Sequence, residues 1–210
     1  MNSEIEKYIL DHTEPEDDLL KELNRDTYAK VLHPRMISGH LQGKLLAAIS
    51  KMIQPDLAVE IGTFTGYAAI CIGRGLSESG TLHTIEVNDE LVPFAQRYFR
   101  RAGLWEKIIQ HTGDARDVLQ HIPDNIDMVF IDGDKGQYLN YYHTVFPKVR
   151  KGGIILADNV LWSGKVVQDV PENDRYTKGI LEFNAYVKND SFVEQVIIPV
   201  RDGLMLIRKK

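Results

Sequence analysis

From Leu57 onward the chain alternates short runs of branched apolar residues with longer stretches in which apolar positions recur every three or four residues. That alternation is the signature of βα units wound on a mostly parallel sheet. The runs predict strands at 57–61, 81–87, 107–112, 126–131 and 153–158, with helices between them beginning near Thr65, Asp89, Asp114 and Gly136. The runs are nearly continuous in apolar residues, as suits strands covered on both faces. The opening quarter has no such runs and reads as helices over 4–11, 15–30 and 38–53, with Pro15 in a first turn. After Ser163-Gly164 comes a polar stretch to Arg175, a helix over 176–188, and two final runs at 192–199 and 203–208. Asp202-Gly203 favours a tight turn between them, so the last two strands are expected to be antiparallel neighbours. No repeat or linker interrupts the pattern. The expectation is a single α/β domain over 1–210, doubly wound, with 1–55 as a helical N-terminal segment.

Composition changes this picture little. In 210 residues, 43% are apolar and 26% charged, ordinary values for a globular domain. A formal net charge of −5 argues against a broad nucleic-acid footprint and for a small-molecule substrate. The one cysteine, Cys71, excludes an internal disulfide and reads as a buried packing thiol in Tyr67-Ala-Ala-Ile-Cys71-Ile. The chain does not open on a basic segment followed by an apolar stretch, and no apolar run approaches the roughly 18 residues of a spanning helix. No membrane contact and residence in the cytoplasm are therefore expected.

Candidate chemistry gathers where the apolar runs end. Asp132 follows Met128-Val-Phe-Ile, and Asp158-Asn159 follow Ile154-Ile-Leu-Ala. Two carboxylates and an amide at neighbouring strand ends offer only oxygen, which suits Mg²⁺, or else Mn²⁺ or Ca²⁺, rather than zinc. Each alone is also ordinary turn chemistry; their convergence with Lys135 sets them apart. Ala58-Val-Glu60-Ile-Gly62-Thr-Phe-Thr65-Gly66-Tyr67 reads as a strand, a glycine loop and a helix capped by Thr65 or Thr63. The glycine spacing is not that of dinucleotide enzymes, and the carboxylate of Glu60 ahead of the loop would attract an ammonium or sulfonium rather than a phosphate. That points to the aminoacyl end of S-adenosylmethionine. Glu86, at the end of the second run, is placed to accept from ribose hydroxyls.

Taken together, Val59-Glu60-Ile-Gly62-Thr-Phe-Thr-Gly66-Tyr67, Gly113-Asp114-Ala115, Ile131-Asp132-Gly-Asp-Lys135-Gly-Gln-Tyr138, Asp158-Asn159-Val-Leu-Trp162-Ser-Gly164 and Asp202-Gly203 resemble the cation-dependent O-methyltransferases, the family of catechol and caffeoyl-CoA O-methyltransferases. The resemblance runs from about Met36 to the C-terminus. It implies a Rossmann-like class I methyltransferase fold, with a mostly parallel seven-stranded sheet whose last strand is antiparallel, helices on both faces, and extra N-terminal helices. It also implies S-adenosylmethionine as donor, a divalent cation, and a homodimer. Carried over residue by residue, it puts Glu60, Gly62, Thr65 and Tyr67 around the methionine part of the cofactor, Glu86 on the ribose, and Asp114 and Ala115 beside the adenine. Asp132 touches both cofactor and metal, and Asp158 and Asn159 complete the metal shell. Met36 and Ser38 belong to a segment closing over cofactor and substrate.

Methyl transfer to a phenol needs an oxygen anion, whereas free phenols titrate near roughly 10. A bound cation stabilises the anion, and Lys135, three residues past Asp132, is the candidate proton acceptor. Without that resemblance, Lys135 reads as a surface residue paired with Asp134. Trp162 is a candidate aromatic wall for a planar acceptor or, equally, a core anchor; Tyr138, Tyr141 and Tyr142 read as packing. Relatives in this family carry Arg in a Gly-Ile-Arg-x-Phe-Asn stretch and in a later Asp-Pro-Arg. Here the text is Gly179-Ile-Leu-Glu-Phe-Asn184 and Asn189-Asp-Ser-Phe192, which favours a small catechol-like acceptor over a CoA thioester. Two other readings remain: a tRNA hydroxyuridine O-methyltransferase of the same fold, supported if Arg97, Arg100, Arg101 and Lys165 form an open basic surface, and a non-catalytic nucleoside-binding module.

Overall fold

The computed structural model describes residues 3–210. Seven strands form one sheet in the order β3-β2-β1-β4-β5-β7-β6: β1 Leu57–Ile61, β2 Thr81–Glu86, β3 Ile108–Thr112, β4 Ile126–Ile131, β5 Val149–Ala157, β6 Val193–Ile198 and β7 Leu204–Lys209. All pairings from β3 to β5 are parallel, while β7 runs antiparallel to both β5 and β6. Helices α1 Ser3–Asp11, α2 Asp18–Lys30, α3 Gly39–Ile53, α4 Tyr67–Gly73, α5 Val92–Arg101, α6 Ala115–His121, α7 Tyr138–Val145 and α8 Arg175–Asn189 accompany it. Among the described residues no helix is long and apolar enough to cross a membrane.

Alternation of side chains along each strand divides the core into two layers. Val59, Ile61, Ile85, Val129 and Ile131 pack on one face with Leu119, Tyr138, Tyr142 and Phe183 from α6, α7 and α8. Ala58, Leu82, Met128, Phe130 and Leu156 pack on the other with Leu23, Leu46, Ile70 and Phe99 from α2 to α5. Cys71 is buried in that second layer, as expected of a packing thiol.

Several boundaries differ from expectation, and three of them have a clear local reason. Helix α2 begins at Asp18, not Pro15, because the Asp17 side chain accepts from the Leu20 N–H at 3.2 Å and caps it there. Strand β5 begins at Val149, because a register shift at Ile126/Met128 lets the polar Arg150-Lys-Gly-Gly stretch join the sheet. Helix α4 begins at Tyr67 and has no side-chain cap. Neither threonine caps it: Thr63 bonds Thr84 at 2.6 Å, Thr65 accepts from Thr27 at 3.1 Å, and Gly66 enters the helix at φ +89°.

Candidate functional site

The parallel strands all end on one edge of the sheet, and the backbone ladder carries one residue past β4 and β5. Asp132 N–H donates to Ile61 O at 2.8 Å and Asp158 N–H to Ile131 O at 3.0 Å. Because Ile131 pairs with Ala157, the two aspartates occupy the next paired position on adjacent strands, whose backbones lie about 4.8 Å apart. Two carboxylates are thereby held side by side. The consequence shows at Asp158, only 3% exposed: burial, and secondarily the charge of Asp132, push its carboxyl up to about 6.

The remaining bonds of the cluster are specific. Lys135, in a 3₁₀ turn between β4 and α7, is buried, and its Nζ donates to Asp132 Oδ1 at 2.6 Å and to the Tyr138 hydroxyl at 2.7 Å. The alternative partner for Lys135, Asp134, is engaged elsewhere, with Arg175 at 2.8 Å. The Tyr138 hydroxyl lies 3.0 Å from the Asp158 carbonyl, to which it donates. Asp158 accepts from Gln42 Nε2 at 2.7 Å through one oxygen and from the Asn159 N–H at 2.8 Å through the other. Asn159 stands in the left-handed region, φ +57°, a conformation Asn tolerates, and is half-buried at the turn out of β5.

The glycine loop after β1 lies against this cluster. A Cβ on Gly62 would stand 2.3 Å from the Asp132 carbonyl oxygen, and its φ is +102°, so only glycine permits this approach. Met36, Ile37, Ser38, Gly62, Thr63, Phe64, Thr65, Tyr67, Ala68 and Asp132 line a narrow cleft here. Six of the sequence-predicted cofactor residues thus meet in one place: Met36, Ser38, Gly62, Thr65, Tyr67 and Asp132. A wider groove between α7 and α8, lined by Tyr142, His143, Phe146, Tyr186 and Phe192, contains none of the predicted residues.

The other four lie outside that cleft. Glu60 is fully buried on β1, below the cleft floor, where it accepts from Thr84, which in turn bonds Thr63. Burial pushes its carboxyl up to about 8, and its second oxygen has no partner. Its side chain does not open into the cleft. Glu86 is buried, with one oxygen accepting from Phe64 N–H at 2.7 Å and the other from Asn88 N–H at 2.9 Å. Asp114 caps α6 through the Arg116 N–H and pairs with the Arg116 guanidinium, which holds its carboxyl below the usual range; Ala115 beside it is buried. These last three stand at the ends of β2 and β3, one and two strands over from Gly62. Trp162 packs on the core layer under α8 near Tyr176, with ring centroids 6.2 Å apart, and its buried indole N–H has no partner.

The donor set fits a hard dication. Among the described residues no three His, Cys, Asp or Glu side chains group as a ready-made cage. The candidate set is two carboxylates and one amide, and a cation seated between Asp132 and Asp158 would relieve the repulsion evident at Asp158. Mg²⁺ commonly takes only one or two carboxylates and fills its octahedron with water or substrate oxygens. Sequence reasoning assigned no role to Gln42 or Arg201 and took Tyr138 for packing alone. Tyr138, one turn beyond Lys135, was the only one with a local signal.

Known proteins resemble this chain over most of its length. A family model described as O-methyltransferase matches residues 10–210. Caffeoyl-CoA O-methyltransferase 2 of Petunia hybrida is 35% identical over 218 residues, covering 97% of this chain and 89% of that protein. Caffeoyl-CoA O-methyltransferase of Petroselinum crispum is 32% identical, covering 92% and 85%. Among solved structures, the O-methyltransferase from Bacillus cereus in complex with SAH superposes with a TM-score of 0.91 at 28% identity, covering 99% of this chain and 97% of that one. TomG from Streptomyces achromogenes, an O-methyltransferase of tomaymycin synthesis in complex with SAM, gives 0.91 at 27% identity, covering 100% and 99%.

Proposed function

The chain belongs to the O-methyltransferase family, and from that premise we propose that it transfers a methyl group from S-adenosylmethionine to one hydroxyl of a small vicinal dihydroxy aromatic acceptor, with a divalent cation required. The observation that carries this reading is the Lys135–Asp132 pair beside Asp158 and Asn159, at two adjacent strand ends bordering the glycine-loop cleft. The non-catalytic alternative is set aside by the family match over nearly the whole chain.

Each residue has a part in this chemistry. Gly62, Thr65, Tyr67 and Asp132, with Met36 and Ser38 closing from the N-terminal side, hold the methionine end of the donor. Glu86, Asp114 and Ala115 line its path toward ribose and base across β2 and β3. Glu60 acts from below, through Thr84 and Thr63, rather than by direct charge. Asp132, Asp158 and Asn159 hold the cation, Mg²⁺ or else Mn²⁺ or Ca²⁺, which when bound supplies positive charge that favours the phenolate over the phenol. Lys135 Nζ, after passing its own extra proton to solvent, takes the phenolic proton as the neutral amine and returns to the ammonium, and Tyr138 and Asp132 aim that nitrogen. Enclosure by the 36–38 segment excludes water and holds the acceptor oxygen in line with the methyl carbon, so orientation supplies much of the rate. Trp162 borders the acceptor side.

The tRNA alternative loses its main support. Arg97 pairs with Asp26 at 2.6 Å, Arg101 with Glu22 at 2.6 Å and Lys165 with Asp174 at 3.2 Å, while Arg100 stacks over Trp105, so three of these four cations already have a carboxylate partner. The test is incorporation of labelled methyl from S-adenosylmethionine into catechol and 3,4-dihydroxybenzoate, with and without EDTA. Turnover that stops with EDTA and returns with Mg²⁺ is expected; turnover indifferent to chelation overturns the reading.

A further inference from the structure

Two polar residues outside the predicted site reach into it from opposite ends of the chain. Gln42 lies in the second turn of α3, is fully buried, and uses both ends of its amide: Nε2 donates to Asp158 Oδ2 at 2.7 Å, and Oε1 accepts from Arg201 Nη1 at 3.0 Å. Arg201 sits in the turn between β6 and β7 at φ +50°. Its Nη1 also donates to the Ile37 carbonyl at 3.1 Å and to that of Ser38. The same turn grips the far side of the site, with Asp202 Oδ1 accepting from Ser163 N–H at 2.5 Å and Asp202 O from Leu161 N–H at 2.9 Å. One hairpin turn therefore ties the 36–38 segment over the cleft to the loop that follows Asn159.

We infer that Arg201 and Gln42 are positioning residues, a relay that couples closure of the 36–38 segment over the cleft to the placement of the Asp158 carboxylate. The argument is stereochemical. An amide can be flipped, exchanging donor for acceptor at each end, and only one orientation turns the NH₂ toward a carboxylate. The guanidinium has no acceptor, so its contact with Oε1 selects that orientation and fixes Nε2 on Asp158. The same nitrogen has two N–H for three acceptors and so shares one between the Ile37 and Ser38 carbonyls of the covering segment, and loosening the cover also loosens what orients Gln42. Gln42 holds Asp158 Oδ2 from the protein core while Oδ1 accepts from the Asn159 N–H, so the carboxylate is fixed through both oxygens and offers a cation the lone pairs that these bonds leave. This role of Asp158 rests on the function proposed above; the anchoring of the 36–38 segment does not.

The test compares Arg201→Ala, Gln42→Leu, their double variant and Arg201→Lys by two measurements on the full-length protein, neither of them activity. One is amide hydrogen exchange, read by mass spectrometry on peptides spanning 33–42; the other is Mn²⁺ binding by isothermal titration calorimetry. Arg201→Ala is expected to speed exchange in 36–42 about tenfold, the scale of a lost charged hydrogen bond. It and Gln42→Leu are each expected to weaken Mn²⁺ binding by about tenfold or more, as loss of an outer partner of a metal ligand does. Because Arg201 acts on Asp158 through Gln42, the double variant should bind Mn²⁺ no worse than Gln42→Leu alone, and Arg201→Lys should fall between wild type and Arg201→Ala. Additive losses in the double variant, or faster exchange with Mn²⁺ affinity unchanged, would overturn the relay and leave a structural strap; unchanged exchange overturns the anchoring. Absence of Mn²⁺ binding by the wild type would instead refute the cation reading, and the exchange arm would still decide the anchoring. Thermal unfolding identifies any variant that does not fold, in which case Arg201→Lys and Gln42→Met carry the same comparison.

Discussion

Replacing Tyr138 by Phe removes one oxygen and little else. The ring is fully buried and packs edge-on against Phe183 with centroids 5.6 Å apart, contacts that Phe retains. Two bonds go: the one accepted from Lys135 Nζ at 2.7 Å, and the one its single hydrogen donates, shared between the Asp158 carbonyl at 3.0 Å and the Ile131 carbonyl at 3.2 Å. The first involves a charged donor, worth about 1.5–3 kcal/mol, the second about 1 kcal/mol. If the charged bond matters to the reaction mainly through the aim of Lys135, its loss corresponds to a fall in kcat of roughly 10- to 150-fold, at about 1.4 kcal/mol per factor of ten. Stability should fall too, by roughly 5–16 °C in Tm for a chain of this size. The assay is steady-state methylation of a catechol at saturating S-adenosylmethionine, with donor-product affinity measured separately by titration of S-adenosylhomocysteine. The affinity should stay within about twofold, because Tyr138 does not line the cleft. A kcat equal to wild type, with Tm lowered, would show that Tyr138 is packing alone and would refute the assignment of Lys135 as a nitrogen held for proton transfer.

Three further outcomes follow from the geometry. In α8, a Cβ on Gly179 would stand 2.5 Å from the Lys135 carbonyl oxygen and 2.8 Å from Gly136 Cα, so Gly179→Ala should displace the Lys135 turn and lower kcat while S-adenosylhomocysteine affinity holds; equal losses in both would contradict this. Gly62→Ala meets backbone rather than a flexible side chain, so it should cost about 2 kcal/mol or more and weaken S-adenosylhomocysteine binding, read by thermal unfolding and titration. Burial holds the Glu60 carboxyl at about 8 against an ordinary 4.5, a raised value, so its contribution is fully present below pH 4.5 and is lost as pH rises toward 8. The Tm of wild type relative to Glu60→Gln should therefore fall between pH 4.5 and 8, and a flat difference over that window would show Glu60 titrating normally.

How far the sequence carried depended on whether a feature was local. Strands β1 and β4 fall at their expected bounds, because a parallel strand covered on both faces is written as a continuous apolar run that polar residues end sharply. Asp132, Asp158 and Asn159 stood out for the same reason, being the first polar residues past such runs. The start of α4 did not, since Gly66 enters the helix by backbone conformation with no capping side chain. The burial of Glu60 was also hidden: β1 is covered on both faces, so every residue from Ala58 to Ile61 is buried, the charged one included. Gln42 and Arg201 meet across 159 residues, and Gln42 and Asp158 across 116. No periodicity or motif spacing records such a contact; only the closing of β7 against β5 brings the hairpin turn to the N-terminal helices.

The central claim, that the neighbouring carboxylates of Asp132 and Asp158 with the amide of Asn159 hold a divalent cation beside Lys135, is tested most directly by growing crystals with Mn²⁺ and S-adenosylhomocysteine and recording anomalous scattering at the manganese edge. The account predicts a single strong peak at coordination distance, roughly 2.0–2.4 Å, from oxygens of all three side chains. Clear S-adenosylhomocysteine density with no anomalous peak between the two aspartates would contradict it.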